Sequence, residues 1–392
     1  MADQPVKKER SIIMLQPCQD NYFNQFSSYA DMMNYHETQT KESRWERSEV
    51  CSLRVAPLDK DSPLYDDASK FAPGISEDAI KDTADNLGLA VKLKGDYYPV
   101  RETAYKSLLD RAKISGSALP KLKRTDLAKV LNSCLGLHKA ETLILIRDEK
   151  VSAVHSGDQN DYSILVIDQL LECVKAKLDE RFAGNVFDDG YCDHSLASAS
   201  WSLPGQKEDL LEAYKKTLEA QGQTAVANKL VPGIRFSTSD TGVASAKVSA
   251  LLMGLQYPIH IGGMISVEHR RQSKVADFND GLDMLFAQFG DTIKNLEKLT
   301  TITLDYPVNA MTRVCKKLSL PKKAALEAIS MYEMAYGGGS ATAHDVFMAL
   351  QEIPFMLKNQ VPESKLLSIQ ENMARALMLR WSDYDLAKAV EY

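Results

Sequence analysis

Residues 142–155 constrain this chain more than any other stretch. Thr142-Leu143-Ile144-Leu145-Ile146-Arg147 and Val151-Ser152-Ala153-Val154-His155 are apolar and β-branched runs separated only by Asp148-Glu149-Lys150. Branched side chains suit a pleated surface, and a short polar break lets two such runs pair as an antiparallel hairpin. A second β region runs from Gly233 to His269, with strand-like stretches at 234–239, 246–253 and 259–267. The alternating strand-helix order of a doubly wound protein is not seen. The expectation is therefore an α+β fold, with one mixed or antiparallel sheet formed by both regions, helices segregated around it, and a helical C-terminal region.

Helical spacing of apolar residues marks 75–87, 101–113, 125–134, 166–181 and 208–221, and nearly everything after Phe278. Strand character is read at 49–58 and in a pair between 184 and 203. A chain of 392 residues exceeds one ordinary core. Its expected organisation is a poorly ordered polar arm over 1–25, an α-rich module over 26–140, a β-rich core over 141–275 and a helical region over 276–392.

The formal charge of -6 argues against a protein that coats nucleic acid over its whole surface, so any such site must be a local basic patch. No apolar run of the roughly 18 residues needed to span a bilayer occurs, and the first residues lack a secretion signal. A cytoplasmic location without membrane association is expected. Cys18, Cys51, Cys134, Cys173, Cys192 and Cys315 form no C-x-x-C pair, which favours free thiols over a zinc ribbon or disulfide framework.

Phosphate loops, serine-nucleophile elbows and H-E-x-x-H are absent from the sequence. Gly337-Gly338-Gly339-Ser340 reads as a connection, without the lysine of a phosphate loop. Asp188, Asp189, Cys192, Asp193 and His194 are potential metal ligands, but neighbours on a strand face opposite ways, so a hairpin is the better reading. His269 beside Arg270 and Arg271 has no identifiable partner carboxylate and reads as a surface strand end. No metal, cofactor or catalytic residue is expected. Ser237-Thr238-Ser239-Asp240-Thr241-Gly242 admits two readings, a tight self-bonded turn or a grip on phosphate oxygens.

Charge is segregated along the chain. Acidic residues outnumber basic ones from Phe26 to Leu89, and the balance reverses from Ala90 to Lys150, where Lys121, Lys123, Arg124 and Arg147 lie. Arg313, Lys316 and Lys317 are spaced to share one face of a helix. Tyr97 and Tyr98 near Arg101 add rings to the first basic stretch, the combination that holds single-stranded nucleic acid. With Arg235 and Ser237, these seven cations form the candidate nucleic-acid contacts. Solvated helix faces and packing tyrosines remain the plainer reading of the same residues.

The stretch Leu145–Ser156, followed by Asp161-Tyr162-Ser163 and Leu170-Leu171, resembles the phage/plasmid-like family catalogued as domain of unknown function 932. Arg235–Gly242, Glu268-His269-Arg270 and Thr342-Ala343-His344-Asp345-Val346 extend the resemblance over most of residues 45–385. It departs from the expected pattern at His155-Ser156-Gly157-Asp158, where a Ser-Asp-x-Tyr run would stand. The resemblance carries no catalytic residue. It implies a mobile element's protein, a non-enzymatic DNA-binding accessory factor engaged in single-strand binding or annealing during recombination, and a homo-oligomer is expected. The alternative is a phage-derived protein-interaction factor, such as a host-defence antagonist or an assembly component.

Overall fold

The computed structural model describes residues 15–255 and 257–392. The chain divides into two compact units, Met1–Asn24 with Glu42–Gly157, and Gln25–Lys41 with Asp158–Tyr392. Most of the polar arm expected over 1–25 lies outside the described residues, which begin at Leu15.

The chain opens with β1 (Phe23–Phe26) and α1 (Tyr29–Glu42). The first unit then contains β2 (Arg44–Glu49), β3 (Arg54–Pro57), α2 (Glu77–Asp85), β4 (Leu89–Leu93), β5 (Asp96–Pro99), α3 (Glu102–Ala112), α4 (Arg124–Leu135), β6 (Glu141–Arg147) and β7 (Lys150–Ser156). Two three-stranded antiparallel sheets result, in the orders β2-β6-β7 and β3-β4-β5. Of the strand expected over 49–58, Arg54–Pro57 forms β3, and a single 3-10 turn at Val50–Ser52 separates it from β2, which belongs to the other sheet. Helix α2 starts where the Ser76 hydroxyl accepts the Ala79 amide at 3.2 Å, with Glu77 and Asp78 in its first turn.

The 142–155 hairpin reverses through Asp148 and Glu149, with φ of 48° and 69°. Two residues in the left-handed region twist the chain as paired strands require, which makes Lys150 the first residue of β7 rather than part of the turn. Leu89, Val91, Leu108, Leu131, Ile144 and Val151 form the centre of this unit's core. The β4-β5 hairpin lies within the stretch read as α-rich. It turns on Lys94 and Gly95, both at positive φ.

The second unit continues with α5 (Ile167–Arg181), β8 (Val186–Asp193), β9 (Ala197–Ser202), α6 (Lys207–Ala220), α7 (Thr224–Lys229), β10 (Val231–Thr238), β11 (Ala246–Met253), β12 (Ile259–Val267) and α8 (Val275–Leu299). It closes with β13 (Thr303–Leu304), α9 (Pro307–Lys317), α10 (Lys322–Tyr336), β14 (Ala341–Thr342), α11 (Ala343–Leu350), α12 (Glu352–Leu357) and α13 (Glu363–Ala374). Strands β8 to β12 are antiparallel neighbours in chain order, with β1 outside β8.

Strand β9 alternates Ala197, Ala199 and Trp201 with Ser198, Ser200 and Ser202, and a period of two puts the first set on one face. That face, continued by Ile234, Phe236, Val248 and Ala250, packs in the main core with α8, where the Phe236 and Phe278 rings lie 5.8 Å apart.

The architecture is thus α+β, built of antiparallel sheets with a helical C-terminal region from α8 to α13. One expectation is corrected: the 142–155 hairpin and the 233–269 strands do not share a sheet. Strand β6 has its second edge filled by β2, and β10 is flanked by β9 and β11, so neither is free to pair with the other. Among the described residues no helix is long and apolar enough to cross a membrane.

Candidate functional site

The nine candidate contact residues are spread over both units. Lys121 and Lys123 are exposed on the approach to α4. Arg124 begins that helix and is half-buried, donating to the Pro120 carbonyl at 3.3 Å. Its stem crosses Gly88, where φ is +67° and a Cβ would stand 3.1 Å from the Arg124 Cγ, so this crossing requires glycine. Arg147 is half-buried and donates to the Ser43 hydroxyl at 2.8 Å. On α9, Arg313 donates to the Lys388 carbonyl and Lys316 to the Glu391 carbonyl, at 2.5 and 2.7 Å, while Lys317 is exposed.

Arg235 and Ser237 lie on the face of the six-stranded sheet opposite the main core. Cross-strand register lines up Asp189, Ser200 and Arg235 on β8, β9 and β10. Ser249 of β11, opposite Arg235, continues the row to His260 of β12, with its hydroxyl 3.2 Å from Nδ1. Helix α13 supplies partners to this face, since Arg235 donates to the Gln370 side-chain amide oxygen at 3.5 Å and Lys247 pairs with Glu371 at 2.9 Å. The face is polar yet largely out of water, with Ser200, Ser237 and Ser249 all buried. Burial, together with the Arg235 charge, depresses His260 well below the usual imidazole range. Burial raises the Glu363 carboxyl, against the pull of Arg235 and Lys358.

The Ser237–Gly242 stretch bonds locally and to the Tyr162 and His269 side chains. Ser239 and Thr241 share a hydrogen bond of 3.0 Å, the Val243 amide donates to the Ser239 hydroxyl, and Tyr162 donates to the Asp240 carbonyl at 2.6 Å. All five polar residues are buried, as the tight-turn reading requires. His269 is also buried rather than at a surface strand end, because its ring stacks on Tyr162 with centroids 5.8 Å apart. Asp193 accepts from the Ser195 and Leu196 amides and from the Tyr191 hydroxyl, closing the β8-β9 turn. Among the described residues no group of three or more His, Cys, Asp or Glu side chains is arranged to hold a metal ion.

The first unit carries a cleft of about 470 Å³ lined by Pro57, Pro63, Leu64, Lys70, Lys92 and Tyr97, among others. Lys92 and Tyr97 are direct partners across the β4-β5 hairpin, and the ammonium sits 5.5 Å from the ring centroid. Of the two tyrosines singled out from sequence, Tyr97 is half-exposed, whereas Tyr98 is buried under Arg44, whose guanidinium donates to its hydroxyl at 2.7 Å. The cation that accompanies the exposed ring is Lys92, not Arg101. The signal for this was the apolar run 89–93 followed by Lys94-Gly95, a hairpin turn that sets those two residues opposite each other.

Arg101 belongs to a buried ionic cluster that sequence reading did not find. Its side chain is fully buried and donates to the Gln19 and Pro17 carbonyls, at 3.2 and 3.3 Å, and to the Ser152 hydroxyl. Lys150, equally buried, pairs with Asp20 at 3.0 Å and with Asp82. Asp20 in turn accepts the Glu102 amide, and the Asp20 amide donates to Asp82. Each charge has an opposite neighbour, which is what permits two cations inside a core.

No family model, no curated protein and no solved structure matches the chain.

Proposed function

We propose that this chain is a non-enzymatic accessory protein that binds single-stranded DNA, in the manner of factors used by mobile elements and phages for single-strand binding or annealing. The observation supporting this reading most directly is the Lys92–Tyr97 pair on the rim of the first unit's cleft. A half-exposed ring offers a sequence-tolerant stacking face, worth about 1–3 kcal/mol per base, and a neighbouring ammonium suits the adjoining phosphate. Lys70 on the same cleft, and Lys121 and Lys123 in the same unit, add exposed positive charge. The overall acidity then confines binding to this surface. On this reading the chain is a homo-oligomeric, cytoplasmic protein of a phage or plasmid-like element.

Fluorescence anisotropy of a labelled oligo-dT tests the reading. Retention at low salt is expected, weakening with a log-log slope of roughly -0.7 per phosphate contact. Tyr97→Ala with Lys92→Ala should weaken it by about tenfold or more. No binding at micromolar protein and low salt overturns the proposal, and metal-dependent DNA cleavage abolished by Asp189→Ala or Glu268→Ala overturns its non-enzymatic part.

A second reading, a protein-interaction factor, has one observation in its favour. Helix α10 leaves Leu326, Met331, Met334 and Tyr336 exposed, the last two at 80% and 71%.

A further inference from the structure

Residues 385–392 lie along α9, held by the Asp385 and Tyr392 side chains at the two ends and by main-chain carbonyls between them. At one end the Asp385 carboxylate accepts the Asp305 and Tyr306 amides, at 2.8 and 2.7 Å, where α9 begins. Asn309 then donates to the Leu386 and Ala387 carbonyls, both at 3.0 Å. Arg313 takes Lys388 and Lys316 takes Glu391, again through main-chain oxygens. At the far end the Tyr392 hydroxyl donates to the Leu320 carbonyl at 2.5 Å and to that of Cys315 at 3.3 Å. Between these anchors the side chains of Leu386, Ala387, Lys388, Ala389 and Glu391 are exposed.

We infer that the surface of α9 is a peptide-binding groove, filled in cis by residues 385–392 and able to take the same segment from a second copy of this chain. Three features of the molecule carry this. The grip is a ladder of polar side chains, Asn309, Arg313 and Lys316, spaced three and four residues apart on one face of α9. It reads main-chain carbonyls between an aspartate at the head of the segment and a tyrosine at its end, both held through their side chains, and every copy of the chain carries that segment. Apart from Tyr392, which packs against the main core, most of the strap's side chains are exposed, so its docking is a low-stability contact that opens separately from the core. The core anchor before it is Trp381, fully buried with its indole donating to the Ala376 carbonyl, and only Ser382, Asp383 and Tyr384 separate it from Asp385. A strap tethered so closely has a high effective concentration, and the cis form prevails until its head contact is weakened.

The inference does not depend on nucleic-acid binding. To test it, the full-length chain carrying Asp385→Ala is titrated with a labelled peptide of residues 383–392 and followed by fluorescence anisotropy. The variant should bind the peptide about tenfold tighter than the wild-type chain, whose own strap blocks the groove. That gain should vanish when the peptide itself carries Asp385→Ala, or when Asn309→Ala is added to the chain. Equal binding by variant and wild type, or binding indifferent to the peptide's aspartate, overturns the groove. If Asp385→Ala lowers the melting of the whole protein, Tyr392→Phe, which loosens the opposite end, replaces it in the same comparison with the same two outcomes.

Discussion

Lys316 donates its ammonium to the main-chain oxygen of Glu391, 2.7 Å away. The spacing of Arg313, Lys316 and Lys317 would suit a phosphate backbone, yet two of the three cations are already engaged by the chain's own end. Single-strand affinity should therefore change less than about twofold in Lys316→Ala, while Tyr97→Ala costs about tenfold. Parallel anisotropy titrations at one salt concentration measure both. A larger loss in Lys316→Ala would move the interface from the first unit to α9.

Replacing Lys150 with Met should destabilise the first unit by about 3–5 kcal/mol, because Asp82 would lose its cation and Asp20 would keep only Arg101, 3.5 Å away. Hydrogen exchange at the β6 and β7 amides should quicken accordingly. Unchanged protection there would mean that the carboxylates find water or another partner.

Stability should fall as pH drops below about 6.5. His260 and His269 are both held below the usual imidazole range by burial, the first helped by Arg235 and the second opposed by Asp240. The unfolded chain takes up protons that the native rings refuse, so the contribution is full above the unfolded value near 6.5 and is lost toward the lower native ones. Ser249, Arg235 and Gln370 face His260, while Tyr162, Thr238 and Asp240 face His269. Melting at pH 7.5 and 5 should show the drop, and His260→Gln should reduce it.

A separate loss belongs to strong acid. The neighbouring His344 ring, with help from the Thr342 hydroxyl and amide, holds the Asp345 carboxyl at about 2. This contribution is present above the ordinary carboxylate range near 4 and disappears as pH falls through 2. Since the carboxylate is 37% exposed, solvent screening leaves about 1 kcal/mol. Urea midpoints of Asp345→Asn should be flatter than wild type between pH 4 and 2.

Much of the architecture is legible in local pattern, because apolar periodicity is a property of each segment alone. The 142–155 hairpin and the helices α3, α4 and α5 lie close to their expected bounds for this reason. What pattern does not carry is pairing between segments. Nothing near Lys150 distinguishes a turn residue from the first residue of a strand, and its partners Asp20 and Asp82 are supplied from far along the chain. Arg313 and Lys316 look like a free basic face for a similar cause: the segment that meets them begins some seventy residues later. Arg235 and Ser237 sit two apart on one strand, so their common face was implicit, but the helix lying over it was not.

The alternation Ala-Ser-Ala-Ser-Trp-Ser in β9 sets a limit on how this protein tolerates change in length. Deleting one residue between Ala197 and Ser202 would exchange the two faces beyond the lesion, sending serines toward α8 and an alanine or the tryptophan toward Arg235. Substitutions in this strand are local injuries that neighbours can accommodate. A shortened strand is a frame error in three dimensions, because every residue beyond the lesion changes face.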